Sequence, residues 1–178
     1  MPSLTPLLNL TLGSLLAEAE RPRADPARLA ADLAHLQALL SVWSGRRPLR
    51  DYLEQDAGAY CAAAALEVAR TASALWDDLS ADPDGTAETL RRQREDPVRI
   101  VLADLLGIAL RNLGELMFRK DYRALSPEIR HVRTVPLLME DPRPARIGRY
   151  LSGERIRYER EARRPHKARF RDVWRRLG

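Results

Sequence analysis

Apolar side chains recur along this chain at helical steps of three and four, and capping residues followed by proline mark where many of the runs begin. Asp25-Pro26, Asp82-Pro83, Asp96-Pro97 and Ser126-Pro127 each set an N-cap type before a proline suited to the first helical position, and Thr5-Pro6 reads the same way. The clearest run is Leu29, Leu33, Leu36, Leu40 and Trp43, which predicts a helix from about Pro26 to Trp43 that Ser44-Gly45 closes. A first helix is predicted from about Pro6 to Glu20 on the face shared by Leu8, Leu12, Leu15 and Leu16, although Leu8, Leu10 and Leu12 also alternate as a strand would.

A third helix starts near Pro48 and continues to about Leu79, with Gly58 as its break. Its middle, Tyr60 to Leu66, is so rich in alanine that a neighbouring backbone is expected to approach it, with Cys61 as a small buried residue. Ser80 to Gly85 reads as a turn and Thr86 to Glu95 as a short charged helix. The most apolar helix follows, from about Pro97 to Tyr122, and its Gly107 and Gly114 are the expected seat of the alanine-rich stretch. Beyond Ser126 the pattern weakens: Val132 to Pro136 reads as extended, and Asp141-Pro142-Arg143-Pro144 as a hinge. Short helices are expected after it, one around Ile147, Tyr150 and Leu151 that ends at Ser152-Gly153, one from Glu154 to Arg164, and one from His166 to Arg176.

The fold class predicted is therefore mainly α, a helical bundle of about five helices with a basic, short-helical C-terminal segment. Composition narrows it further. Among 178 residues there are 29 Leu and 25 Ala against 7 Val, 5 Ile and 6 Thr, which disfavours an all-β domain. The single cysteine excludes a disulfide scaffold, and 45% hydrophobic content disfavours disorder throughout. Residues 1–17 carry no charge, yet the first charged side chain is Glu18 rather than a basic residue, so no secretory signal is inferred and a cytoplasmic protein is expected. No apolar stretch is long enough to suggest a membrane span.

Charge changes the picture most. The chain has 28 Arg, 2 Lys and 25 acidic residues, distributed unevenly. Residues 142–178 hold 13 basic and 4 acidic side chains, a local charge of +9, whereas residues 1–141 sum to −4. The expected organisation is an acidic helical body, 1–141, and a basic C-terminal segment, 142–178, packed on it or extending from it. Arg157, Arg160 and Arg164 share one helical face, Arg155 and Arg163 another flank, and Lys167, Arg169, Arg171, Arg175 and Arg176 surround the stripe of Phe170, Val173, Trp174 and Leu177. Tyr158 adds an aromatic among them. Arginine dense enough to release counterions, interleaved with rings that stack, suits a polyanion of the nucleic-acid class, either DNA or RNA. The competing use of these charges is internal: Glu159 with Arg163 and Glu154 with Arg157 have ion-pair spacing, and the basic segment can fold onto the acidic body.

Catalytic and metal signals are sparse. His35, His131 and His166 are far apart with no ligand-spaced partner, and His35 lies among leucines as a core or edge residue would. Glu54, Asp56, Asp77 and Asp78 are the carboxylates from which a helical metal site would be built, but no Glu-x-x-His pair accompanies them. No phosphate loop or nucleophile elbow occurs, so no catalytic residue, metal ligand or cofactor is assigned. The function expected is a non-catalytic nucleic-acid-binding or ribonucleoprotein accessory subunit that contacts the phosphate backbone. The alternative is a helical protein-interaction module that meets a partner or a second copy through Leu4, Leu7, Leu8, Leu10, Leu12, Leu15 and Leu16, although burial within its own domain explains that face better.

Overall fold

The computed structural model describes residues 3–161, with side chains over residues 3–153. The described residues are almost entirely helical and contain no strand. Helix α1, Thr5–Ala19, packs on α2, Pro26–Trp43, and resolves the leucine ambiguity in favour of helix. Its start lies one residue earlier than the Thr5-Pro6 signal implies: Leu4 is the cap position, and Ser3 Oγ accepts the Thr5 N–H at 3.2 Å. Helix α2 has the bounds its periodicity indicates. Asp25 accepts the Ala27 N–H at 2.9 Å, and Gly45, at φ 75°, turns the chain out of the helix in the left-handed conformation that glycine tolerates.

The third helix departs from expectation. It is a short α3, Leu49–Asp51, a π-helical stretch at Tyr52–Asp56, and α4, Ala57–Ala63. The break falls at Ala64, whose ψ of 161° is extended, and not at Gly58, which sits inside α4 with nothing within 4 Å of a built Cβ. Cys61 is exposed, and the alanine run does not seat on the glycines of the apolar helix. Those glycines meet leucines instead, Gly107 facing Leu40 Cδ2 at 3.4 Å and Gly114 facing Leu33 Cδ2 at 3.5 Å, so α2 is the helix they admit. Helix α5, Leu66–Ala81, follows, and α6, Pro83–Gln93, begins directly after it because Asp82 accepts the Gly85 N–H at 2.9 Å and caps where a turn was expected.

Helix α7, Pro97–Phe118, is the central element, buried against α2, α8 and α9 along Leu102, Leu105, Leu106, Ala109, Leu110 and Leu113. It ends at Phe118, and Lys120 at φ 57° reverses the chain. Helix α8, Tyr122–Val132, contains Ser126-Pro127 in its interior, so that pair is not a start. The proline omits one backbone donor, while the Ser126 hydroxyl donates to Glu20 at 2.9 Å and ties α8 to the end of α1. Val132 to Pro136 is helical too, passing into α9, Thr134–Glu140, whose terminal carbonyls of Met139 and Glu140 accept from Arg99 at 2.7 and 3.1 Å.

The chain bends at Asp141 and enters α10, Pro144–Glu161. Three expected features are corrected by these elements. The helices outnumber the five expected, the Val132 segment is not extended, and Ser152-Gly153 does not stop the helix, since Ser152 Oγ returns its proton to the Gly148 carbonyl at 2.9 Å. The expected helix from His166 to Arg176 lies outside the described residues.

One contiguous apolar core runs through the helices. Leu4, Leu7, Leu8, Leu12, Leu15 and Leu16 lie within it, so the leucine face of α1 belongs to the interior of this domain. Among the described residues no helix is long and apolar enough to cross a membrane.

Candidate nucleic-acid interface and a buried polar network

Helix α10 carries the start of the basic segment. Ile147 and Tyr150 are partly buried against the core, and the Tyr150 ring stacks on His131 at 5.7 Å, so the first turns of the helix lie on the body. Arg143 and Arg146 approach Asp141 at 2.7 and 3.5 Å but stay exposed, as does Arg149. Of the arginines and aromatic singled out in the sequence, positions 155, 157, 158 and 160 lie on α10 with their side chains outside the described residues; Arg163, Arg164, Lys167, Arg169, Arg171, Arg175 and Arg176 lie outside them altogether.

Continuity of α10 has a geometric consequence that broken helices would lack. At about 100° per residue, positions 146, 149, 157 and 160 fall within about 80° of one another around the axis, and position 155 falls on the opposite side. Four arginine positions thus share one helical register across Gly153.

Much of the acidic charge of the body is engaged close to home. Glu18 meets Arg21 at 3.1 Å and also accepts the Asp25 N–H at 2.7 Å. Glu20 pairs with Arg130, and this contact holds the Glu20 carboxyl below its ordinary range. Asp56 meets Arg47 at 2.5 Å, and Asp96 meets Arg99 at 3.3 Å. On α6, Glu88 is bonded by Arg91 and Arg92, which lower its pKa to about 2.

The structure also reveals a constellation of which the sequence pointed only to His35. Trp76 Nε1 donates to the Tyr52 hydroxyl at 2.8 Å, and Tyr52 meets His35 Nε2 at 2.7 Å. On its other side His35 Nδ1 lies 2.9 Å from Thr11 Oγ1, which donates to the Leu7 carbonyl at 2.8 Å. Indole N–H only donates, and a hydroxyl has a single proton. The network is therefore satisfied when Tyr52 donates to Nε2 and Nδ1–H donates to Thr11, which assigns the His35 tautomer. Burial holds this imidazole neutral, with its pKa lowered to about 3. The Tyr60 ring stacks on His35 at 3.8 Å and its hydroxyl donates to Asp32 Oδ1 at 2.5 Å, while Ser14 donates to Oδ2 at 2.9 Å. Burial raises the Asp32 pKa to about 6, opposed by the bonds from Tyr60 and Ser14.

The π-helical stretch brings the two tyrosines together. Positions 52 and 60 are eight apart, which in a regular α-helix places them about 80° apart; the extra residue of a wide turn removes most of that offset and aims both rings at His35. Over the network lies a cleft of about 190 Å³ lined mainly by Ala31, Ala34, Ala38, Ala59 and Ala63. Each polar group of the network has a partner, so it fastens α1, α2, α4 and α5 together and offers no unpaired base or nucleophile. Among the described residues no cluster of three metal-ligating side chains occurs.

Comparison of the chain with family models, with curated proteins and with solved structures finds no match in any of the three.

Proposed function

We propose that this protein is a non-catalytic nucleic-acid-binding or ribonucleoprotein accessory subunit whose basic C-terminal segment contacts the phosphate backbone of DNA or RNA. The observation that carries this reading is the partition of charge, +9 over residues 142–178 against −4 over the preceding body. Two features of the fold support it. Four body carboxylates, Glu18, Glu20, Asp56 and Asp96, already face body arginines and are less available to the basic side chains that follow, of which Arg143 and Arg146 meet Asp141. The unbroken α10 places positions 146, 149, 157 and 160 in one helical register, a spacing that suits contact with a run of phosphates.

Contact of this kind positions a duplex or strand without reading its sequence, so similar affinity for unrelated sequences is expected. The test is fluorescence polarisation with single- and double-stranded DNA and RNA, using the intact chain and the variant Arg157→Glu/Arg160→Glu. Binding to at least one probe class, strongly weakened in the variant at unchanged helicity, supports the reading. Absence of binding to all four probes at low salt removes it. The alternative reading, a helical protein-interaction module, is favoured by Phe118, which is 90% exposed at the end of α7.

A further inference from the structure

We propose that the cleft between the α1–α2 connection and the α7–α8 turn binds a phosphate group. The inference rests on the helical body alone and does not depend on the basic C-terminal segment. The cleft measures about 460 Å³, and its floor is fixed, because Ala19, Ala24 and Tyr122 in its lining are partly buried against the core. Its two sides are tied to each other next to Ala19, where Glu20 accepts from Ser126 at 2.9 Å and from Arg130. The spacing between them therefore exists before any ligand arrives.

Cations stand around that floor. Arg21, Lys120 and Arg123 line the cleft and are exposed. Arg21 already meets Glu18 at 3.1 Å, whereas Lys120 and Arg123 meet no carboxylate among the described residues. The start of α8 adds main-chain donors. Asp121 occupies its cap position without accepting a hydrogen bond from the helix, and the N–H groups of Tyr122 and Arg123 have no acceptor among the described residues. An ammonium, a guanidinium fork and two main-chain N–H groups are more donors than the two oxygens of a carboxylate use, and they match the several oxygens and higher charge of a phosphate. Only Asp121 in the lining opposes such a ligand.

Lys120 is held there against its backbone preference. At φ 57° it closes α7, its own N–H returning to the Met117 carbonyl at 3.0 Å and that of Asp121 to the Leu116 carbonyl at 2.9 Å. Glycine fills this position without strain, and lysine does not. A cationic side chain at the rim of the cleft gives the lysine a use that offsets the conformational cost. The volume admits more than one phosphate, so the group can belong to a small phosphorylated molecule or to a nucleic-acid strand.

The test is amide-resolved NMR of the full chain, titrated at constant ionic strength with inorganic phosphate, with pyrophosphate and with a single-stranded oligonucleotide. It reads the Tyr122 and Arg123 amides separately from those of the C-terminal segment. Saturable shifts at these amides are expected, and the variant Arg157→Glu/Arg160→Glu is expected to keep them. Lys120→Gly is expected to weaken the binding by about tenfold while the fold becomes no less stable, which separates a lost ligand contact from a lost structure. Lys120→Arg is expected to retain the binding, and Asp121→Asn to strengthen it. Saturation by the oligonucleotide places a nucleic-acid phosphate in the cleft, and saturation by phosphate or pyrophosphate alone places a small ligand there; both support the proposal. No saturable shift with any of the three probes overturns it, as does equal affinity in Lys120→Gly and the wild type.

Discussion

Replacing Asp32 by asparagine tests whether the buried network is arranged as described. The substitution preserves shape: the amide oxygen still accepts from Tyr60, and the amide nitrogen donates to Ser14. What changes is titration. Asp32 is 2% exposed, and its folded pKa is about 6 against an ordinary 3.8. Between those values the folded chain binds more protons than the unfolded one, so the wild type loses stability as pH rises through that window, by about 3 kcal/mol in all. His35 acts with the opposite sign. Its folded pKa of about 3 lies below the ordinary 6.5, so the unfolded chain binds more protons and stability falls as pH drops, by about 5 kcal/mol over the full range. The two slopes overlap, and the wild-type profile alone separates neither. The difference between Asp32→Asn and wild type does separate them, since His35 is common to both. Urea unfolding, followed by the fluorescence of the buried Trp43 and Trp76, is expected to show the variant gaining about 2–3 kcal/mol on the wild type between about pH 4 and about pH 7, with equal m-values. A flat difference would refute the argument, and one that falls with pH would mean that a cation holds Asp32 ionised.

Three further outcomes are expected from urea unfolding at neutral pH. Tyr52→Phe strands the Trp76 N–H and His35 Nε2 in the core, and is expected to cost about 2–4 kcal/mol; a loss below about 0.5 kcal/mol would show that the chain of bonds contributes nothing. Gly58→Ala places a methyl group in open space on an exposed helical position, with an expected gain of about 0.5–1 kcal/mol, and destabilisation would contradict the helix there. Lys120→Gly relieves the left-handed backbone between α7 and α8 and is expected to add about 1 kcal/mol; a loss would contradict that turn.

The elements that local chemistry controls were legible in the sequence, and those decided by remote contacts were not. Asp25 and Asp96 both accept the N–H two residues ahead at 2.9 Å, as their pairing with proline implied, and α2 has the bounds of its leucine steps. Ser126-Pro127 carries the same local signal and fails, because Glu20 of another helix takes the serine hydroxyl and the chain is already helical from Tyr122. The alanine run showed that close approach was possible but not that it occurs; leucines of α2 meet Gly107 and Gly114 instead. His35 was recognisable as a buried residue, yet its partners were not, since Tyr52 and Tyr60 align only through the π-helical stretch, which no periodicity announces. The basic segment was legible as charge, whereas the shared register of positions 146, 149, 157 and 160 depended on a helix that Ser152-Gly153 had suggested would break.

The salt dependence of binding tests the central claim most directly. With a duplex DNA probe, the logarithm of the binding constant is expected to fall linearly with the logarithm of salt concentration, and the slope to shrink by about 0.9 for each arginine among Arg157, Arg160, Arg163 and Arg164 replaced by glutamine, when each meets one phosphate. A slope near zero, or one that these replacements leave unchanged, would contradict a phosphate contact by the C-terminal arginines.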